Sequence, residues 1–304
     1  MNAFTSPFGW LGTTLEPTED WSQAAAMFEP LVRRMPRQDA VAGMTTQELR
    51  EAFLMENVFA PGRGRGAFTD LDRMVVGGVI PVSGPVALSN HAETGRSFFL
   101  EKRELGAINL GGPGAVRADG TLLAAEPMSC VYAGAGTRDL EFESRDPSNP
   151  ARFFFLSCPA HAPLPAAVLR REEAATTPMG SQESANKRVI RKYIHEGGIR
   201  SCQLVLGYTE LAEGSVWNSF PPHTHSRRSE VYFYFNLGDR VLAHFMGRPD
   251  ATRHLFVHNE QAVLSPSWSI HCGCGTGSYS FIWGMAGENQ RFDDMDPVKP
   301  ADLR

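Results

Sequence analysis

Residues 221–235 read PPHTHSRRSEVYFYF. His223 and His225 stand two apart, and side chains two apart on an extended strand share a face. The polar stretch SRRS then precedes Glu230, which opens the apolar run VYFYF. If SRRS is the turn of a hairpin, Glu230 returns toward the two imidazoles. Tyr232 and Tyr234 follow Glu230 at the strand period and are expected to face the same interior. A histidine pair beside an apolar strand is more often a surface or core feature than a ligand set. His271, 46 residues beyond His225, changes the balance. Three imidazoles and one carboxylate form a donor set for a divalent transition metal, with positions left over for a substrate.

The surrounding sequence has the texture of short strands. From about residue 68, runs rich in Val, Ile, Phe and Leu alternate with Gly, Pro and Asp turns at intervals of about 8–12 residues, which predicts a mostly β fold of sandwiches or barrels. RADGTLL (117–123) carries an Asp-Gly hairpin signal. Near the N-terminus, WSQAAAMFEPLVRRM (21–35) suggests a short helix limited by Pro30. MTTQELREAFLMENVF (44–59) predicts a firmer one, with Thr45 and Glu48 as a capping box and Leu49, Phe53 and Leu54 at helical spacing. Residues 163–200 turn polar and Pro/Ser/Thr-rich. The expected organisation is therefore an N-terminal extension (1–44), a first barrel with its leading helix (45–165), a linker (166–200) and a second barrel (201–304).

The bulk composition excludes several classes. The net charge is −5 and no run of five or six basic residues exists, so nothing points to nucleic acid. The first 20 residues hold no Lys or Arg, against a signal peptide. No apolar run approaches the ~20 residues that span a membrane. Five cysteines, an odd number, suit free thiols better than a disulfide framework. A soluble, cytoplasmic chain is the expectation.

The string His-x-His-x4-Glu, followed by Pro266-x4-His271, is the two-part metal signature of the cupin barrel. The generic pattern is only partly kept, since Trp268 stands where a glycine is usual. The longer strings WNSFPPHTHSRRSEVYFYF, TRHLFVHNEQAVLSPSWSIHCGCGTGSYSFIWGMAGENQRFDDMD and FFLEKRELGAINLGG closely resemble the 5-keto-4-deoxyuronate isomerase (4-deoxy-L-threo-5-hexosulose-uronate ketol-isomerase) family. The resemblance runs from about residue 45 to the C-terminus. It implies two cupin barrels, a homohexamer, and one Zn2+ per subunit held by His223, His225, Glu230 and His271. It also implies an aldose–ketose isomerisation in pectin and polyuronate breakdown. Arg103 and His161 are further family-like positions. After His271 the family carries Ser-Gly-Val-Gly where this chain has Cys272-Gly273-Cys274-Gly275. Cys272 is expected to be a spectator, because neighbouring strand residues face opposite ways.

Isomerisation needs a base to move a proton between C2 and C1. The candidates are Glu260, Glu288 and Tyr234, because Glu230 is committed to the metal. A uronate carboxylate calls for a cation, and the candidates are Arg227, Arg228 and Arg253, with Tyr232 as a further contact. The first barrel lacks the His/Glu set and is expected to carry no metal. Rival readings are the 5-deoxyglucuronate isomerase of inositol catabolism, an iron cupin dioxygenase and a non-catalytic sugar-binding cupin.

Overall fold

The computed structural model describes residues 29–304. The short apolar runs fold as strands in four sheets. The first half builds a seven-stranded sheet (Glu29–Arg33, Gly64–Thr69, Val75–Val79, Phe153–Pro159, Arg103–Asn109, Cys130–Ala133, Ala167–Leu169 in spatial order) and a four-stranded one. The second half repeats the arrangement, with a seven-stranded sheet centred on Val205–Leu211, Ser280–Gly287 and Arg228–Phe235 and a five-stranded partner. The sequence RADGTLL forms its expected hairpin between Gly114–Ala118 and Thr121–Ala125, with Asp119 and Gly120 both at positive φ.

Strand alternation explains the layering. Phe153 and Phe155 enter the core of the first sandwich with Val116 and Phe142, while Phe154 and Leu156 point the other way. They meet Val231, Phe233, Leu264 and Ile282 from the opposite half, so the two seven-stranded sheets pack face to face. This explains why VYFYF has no polar alternation: Val231, Phe233 and Phe235 pack in the central layer, and Tyr232 and Tyr234 fill the second sandwich. The close approach needs Gly284, where a Cβ would sit 2.0 Å from Leu156 Cδ1. A second tie is Glu104, fully buried, which accepts the backbone N–H groups of Cys202, Gln203 and Leu204 at 2.7, 2.8 and 2.9 Å and the Tyr132 hydroxyl at 2.7 Å.

Four expectations need correction. Residues 166–200 are not a bare linker: Ala167–Leu169 closes the first large sheet, and Ala175–Met179 with Arg188–Ile194 forms the edge of the second. Their polar sequence reflects edge strands with one solvated face. Helix Thr46–Phe53, capped as predicted by Thr45 and Glu48, does not lead into the first barrel. Its Leu49 and Phe53 pack in the second sandwich, and Leu54–Met55 pairs with Gln261–Ser265. Glu29–Arg33 is a strand parallel to Gly64–Thr69 rather than part of a helix, and the rest of that expected helix lies outside the described residues. Finally, SRRS does not close a hairpin. Trp217–Thr224 pairs with His271–Gly275 in the five-stranded sheet, whereas Arg228–Phe235 pairs within the seven-stranded one. The turn carries the chain across the sandwich, and Glu230 reaches the histidines from the opposite wall.

Candidate metal centre

His223, His225, Glu230 and His271 converge, their nearest ligating atoms lying within 4.8 Å of one another. His223 sits directly across from His271 in the five-stranded sheet, and their Nε2 atoms are 2.9 Å apart. Glu230 Oε2 lies 2.9 Å from His225 Nε2 and 3.1 Å from His271 Nε2. The opposite ring nitrogens are held from behind: His271 Nδ1 by Ser265 Oγ at 3.1 Å, and His225 Nδ1 by the Asp294 carbonyl at 2.8 Å. Such outer partners set ring orientation and tautomer in metal sites.

The donor set fits a cation. A carbonyl only accepts, so His225 Nδ1 carries a proton. Its Nε2 faces a carboxylate oxygen of Glu230 at 2.9 Å, a pair that a proton or a metal ion between them draws together. Burial, reinforced by the charge of His271, drives the His223 pKa well below its ordinary value. Burial also lowers that of His271, against the pull of Glu230. For Glu230 burial acts upward, yet the imidazoles outweigh it and hold the carboxyl well below the usual range. Lowered pKa values at His223 and His271, beside a carboxyl held ionised, favour the protonation states a metal requires.

The ligands border a cavity of about 290 Å3. Phe281, Trp283 and Phe292 form apolar wall, with the Trp283 indole N–H donating to Thr209 Oγ1 at 3.1 Å. Tyr232 lines it and is 2% exposed. Burial and the charge of Glu230 push its phenol well above the usual value, so it stays protonated. Arg188 is the cation on the cavity. It was missed in the sequence because it ends a polar run, and only the pairing of its strand, between Ala175–Met179 and Val205–Leu211, brings it here. Among the described residues its guanidinium makes one hydrogen bond, to the Asn186 carbonyl at 2.8 Å, and no ion pair.

The other candidates sit elsewhere. Arg227 grips the carboxylates of Asp294 (2.6–2.9 Å) and Asp296 (3.0 Å). Arg228, 1% exposed, donates to the carbonyls of Arg291, Phe292 and Asp294 at 2.5–3.2 Å. Together they fasten the loop that supplies the Asp294 carbonyl. Arg253 donates to the carbonyls of Val41, Ala42 and Met44 and ties down the segment before the helix. Glu260 pairs with Arg152 of the first half, Glu288 is exposed, and Tyr234 bonds His244 Nδ1 at 2.8 Å below the cavity. None of these three lines the cavity. Cys272 lies outside the convergent set, its thiol pushed up to about 12 by burial and the nearby Cys274. His161 is exposed. No helix among the described residues is long and apolar enough to cross a membrane.

Known proteins share both the fold and the sequence. The chain is 52% identical over 259 residues to the 4-deoxy-L-threo-5-hexosulose-uronate ketol-isomerase of Opitutus terrae, covering 85% of this chain and 94% of that protein. It is 46% identical over 276 residues to the protein of the same name from Pectobacterium carotovorum subsp. carotovorum, covering 90% and 99%. The solved structure of an IolB-like protein from Salmonella typhimurium matches with a TM-score of 0.64 at 14% identity, covering 81% of this chain and 96% of that one, a likeness of fold alone. A family model described as the KduI/IolB family matches residues 63–298. The chain belongs to the KduI/IolB family.

Proposed function

We propose that the protein is an aldose–ketose isomerase that converts 5-dehydro-4-deoxy-D-glucuronate (4-deoxy-L-threo-5-hexosulose uronate) to 3-deoxy-D-glycero-2,5-hexodiulosonate in pectin and polyuronate degradation. The observation that carries this reading is a buried three-histidine, one-glutamate cluster on a cavity with one cation, in a chain about half identical to proteins of that name. His223, His225, Glu230 and His271 would hold a Zn2+ ion. When bound, it supplies Lewis-acid stabilisation for negative charge on the substrate oxygens.

The chain's own residues bind and orient the substrate and move the proton on its oxygens. Arg188 binds the C6 carboxylate and so sets which end of the sugar acid faces the ligands. The reaction removes the C2 proton, delivers a proton to C1 and moves the carbonyl from C1 to C2. Apart from the ligands and Arg188, Tyr232 is the one titratable side chain lining the cavity among the described residues. Held protonated, its phenol gives a proton to the C1 oxygen as negative charge develops there and takes the proton of the C2 hydroxyl as the new carbonyl forms. Trp283, Phe281 and Phe292 keep bulk water from the reacting carbons. A hexameric assembly in the cytoplasm belongs to the same reading and is checked by light scattering on the purified protein.

The direct test follows substrate loss and zinc content on one sample. Zinc-replete protein that leaves 5-dehydro-4-deoxy-D-glucuronate unchanged overturns the reading. In deuterated water, label at C1 of the product marks a proton-transfer route through an enediol, and its absence a direct hydride shift.

A further inference from the structure

One end of the first sandwich holds a basic pocket for which the isomerase reaction has no use. Arg73, in the turn before Val75–Val79, Arg96 and Lys102, in the stretch before Arg103–Asn109, and Arg103 itself border a cavity of about 310 Å3. Thr94, Pro159 and Ala160 complete the wall, and among the described residues no acidic side chain lines it.

Arg103 is the unusual member. It is 4% exposed. Its Nε donates to Ser157 Oγ at 3.1 Å, and its Nη2 to the carbonyls of Ser157 and Arg73 at 2.9 and 2.7 Å. Among the described residues Nη1 has no partner, and no carboxylate pairs with the guanidinium. Glu104, next in the chain, faces the other side of the sheet and is taken up by the 202–204 backbone. Arg73 is exposed; its Nη2 donates to the Glu93 carbonyl at 3.0 Å and its guanidinium lies over the Phe68 ring. Arg96 and Lys102 are also exposed, without an ion pair among the described residues. Burial and the adjacent Arg73 lower the Arg103 pKa to about 10, which still leaves it charged at neutral pH.

A buried, hydrogen-bonded guanidinium without a counter-charge is costly, and a second cation beside it raises the cost. An anion in the cavity removes both penalties. A lone carboxylate answers one guanidinium, whereas a phosphoryl group brings close to two charges and three acceptor oxygens. Four cations around so small a volume suit the second.

We propose that this pocket of the first sandwich binds the phosphoryl group of a small molecule, with Arg103 at its floor and Arg73, Arg96 and Lys102 around its mouth. The site is separate from the metal centre and stands whatever the isomerase substrate proves to be.

Calorimetric titration of the metal-loaded full-length protein with inorganic phosphate tests it, with chloride at matched ionic strength as the reference. The expected result is one saturable phosphate site per chain that chloride does not reproduce. His223→Ala retains it, while Arg96→Glu combined with Lys102→Glu weakens it at least tenfold. Those two exposed positions leave the fold and the isomerase turnover unchanged, which covers the case in which Arg103→Met fails to fold. Phosphate heats no larger than those of chloride overturn the proposal. So does binding lost in His223→Ala, which would place phosphate on the metal centre, or binding unchanged in the double variant.

Discussion

The Nδ1 atom of His225 lies 2.8 Å from the carbonyl oxygen of Asp294, and the same carbonyl accepts from Arg228 Nη2 at 3.0 Å. A residue that the sequence suggested as a substrate contact thus serves the ligand set from behind. Replacing Arg228 by Met releases the 291–294 backbone and lets the His225 ring turn. Metal affinity should fall by roughly 10- to 100-fold, the usual cost of losing an outer partner of a ligand. Excess zinc should restore much of the activity. Arg227→Ala, which removes a half-buried clamp on the same loop, should weaken binding less. Competition with a chromophoric chelator measures both, and unchanged affinity in Arg228→Met would mean that the loop is held by other contacts.

Arg188 lines the cavity and forms no ion pair among the described residues. Charge-assisted hydrogen bonds contribute about 1.5–3 kcal/mol. Arg188→Met should therefore lower kcat/KM for the uronate by roughly 10- to 150-fold, mainly through KM, with zinc content unchanged. Arg188→Lys should recover part of the loss, because it keeps the charge and gives up the fork. Steady-state kinetics decides, and an unaltered KM in Arg188→Met removes the residue from substrate binding.

Glu104 joins the two halves by accepting three consecutive backbone N–H groups in a fully buried setting. A glutamine there turns an amide toward donors that need an acceptor. Glu104→Gln should cost on the order of 3 kcal/mol, the worth of one or two hydrogen bonds to a charged group. Urea unfolding reads this as a lower midpoint. A midpoint within error of the native one would show that the 202–204 backbone finds other acceptors.

His244 gives stability a direction with pH. Burial, reinforced by the charge of His271, lowers its pKa to about 3, whereas an unfolded chain titrates near its ordinary value of about 6.5. Between these values the unfolded state binds a proton that the native state refuses. The metal-free protein should therefore be most stable above about pH 6.5 and lose up to about 1.4 kcal/mol per unit as the pH falls toward 3. His244→Gln should show a slope smaller by one proton. Urea midpoints across that range measure it, and identical slopes in the two proteins would contradict the shift.

Of the convergent cluster, His223, His225 and Glu230 were legible from local periodicity, and His271 from its place in the second part of the cupin signature. His223 and His225 share a face by strand alternation, and Glu230, Tyr232 and Tyr234 share theirs. The capping box of Thr45 and Glu48 and the Asp119-Gly120 turn were legible for the same reason: each depends on residues within four positions of one another. Partners far apart in the chain and outside that signature were not. Arg227 and Arg228 looked like free turn cations, and their acceptors lie more than 60 residues away. Arg188 looked like linker, and its strand, paired on both sides near the end of the second large sheet, placed it on the cavity. The turn at 226–229 suggested a hairpin, because a local pattern does not say which strands pair. The sequence by itself determined the β class, the four His and Glu residues that converge and the alternation that points them inward. Only the tertiary structure decided that Glu230 approaches from the opposite sheet, which arginine meets the cavity and which arginines hold the ligands in place. Strand pairing and ion pairing are long-range choices, set by how apolar faces stack in layers rather than by the order of residues along one strand.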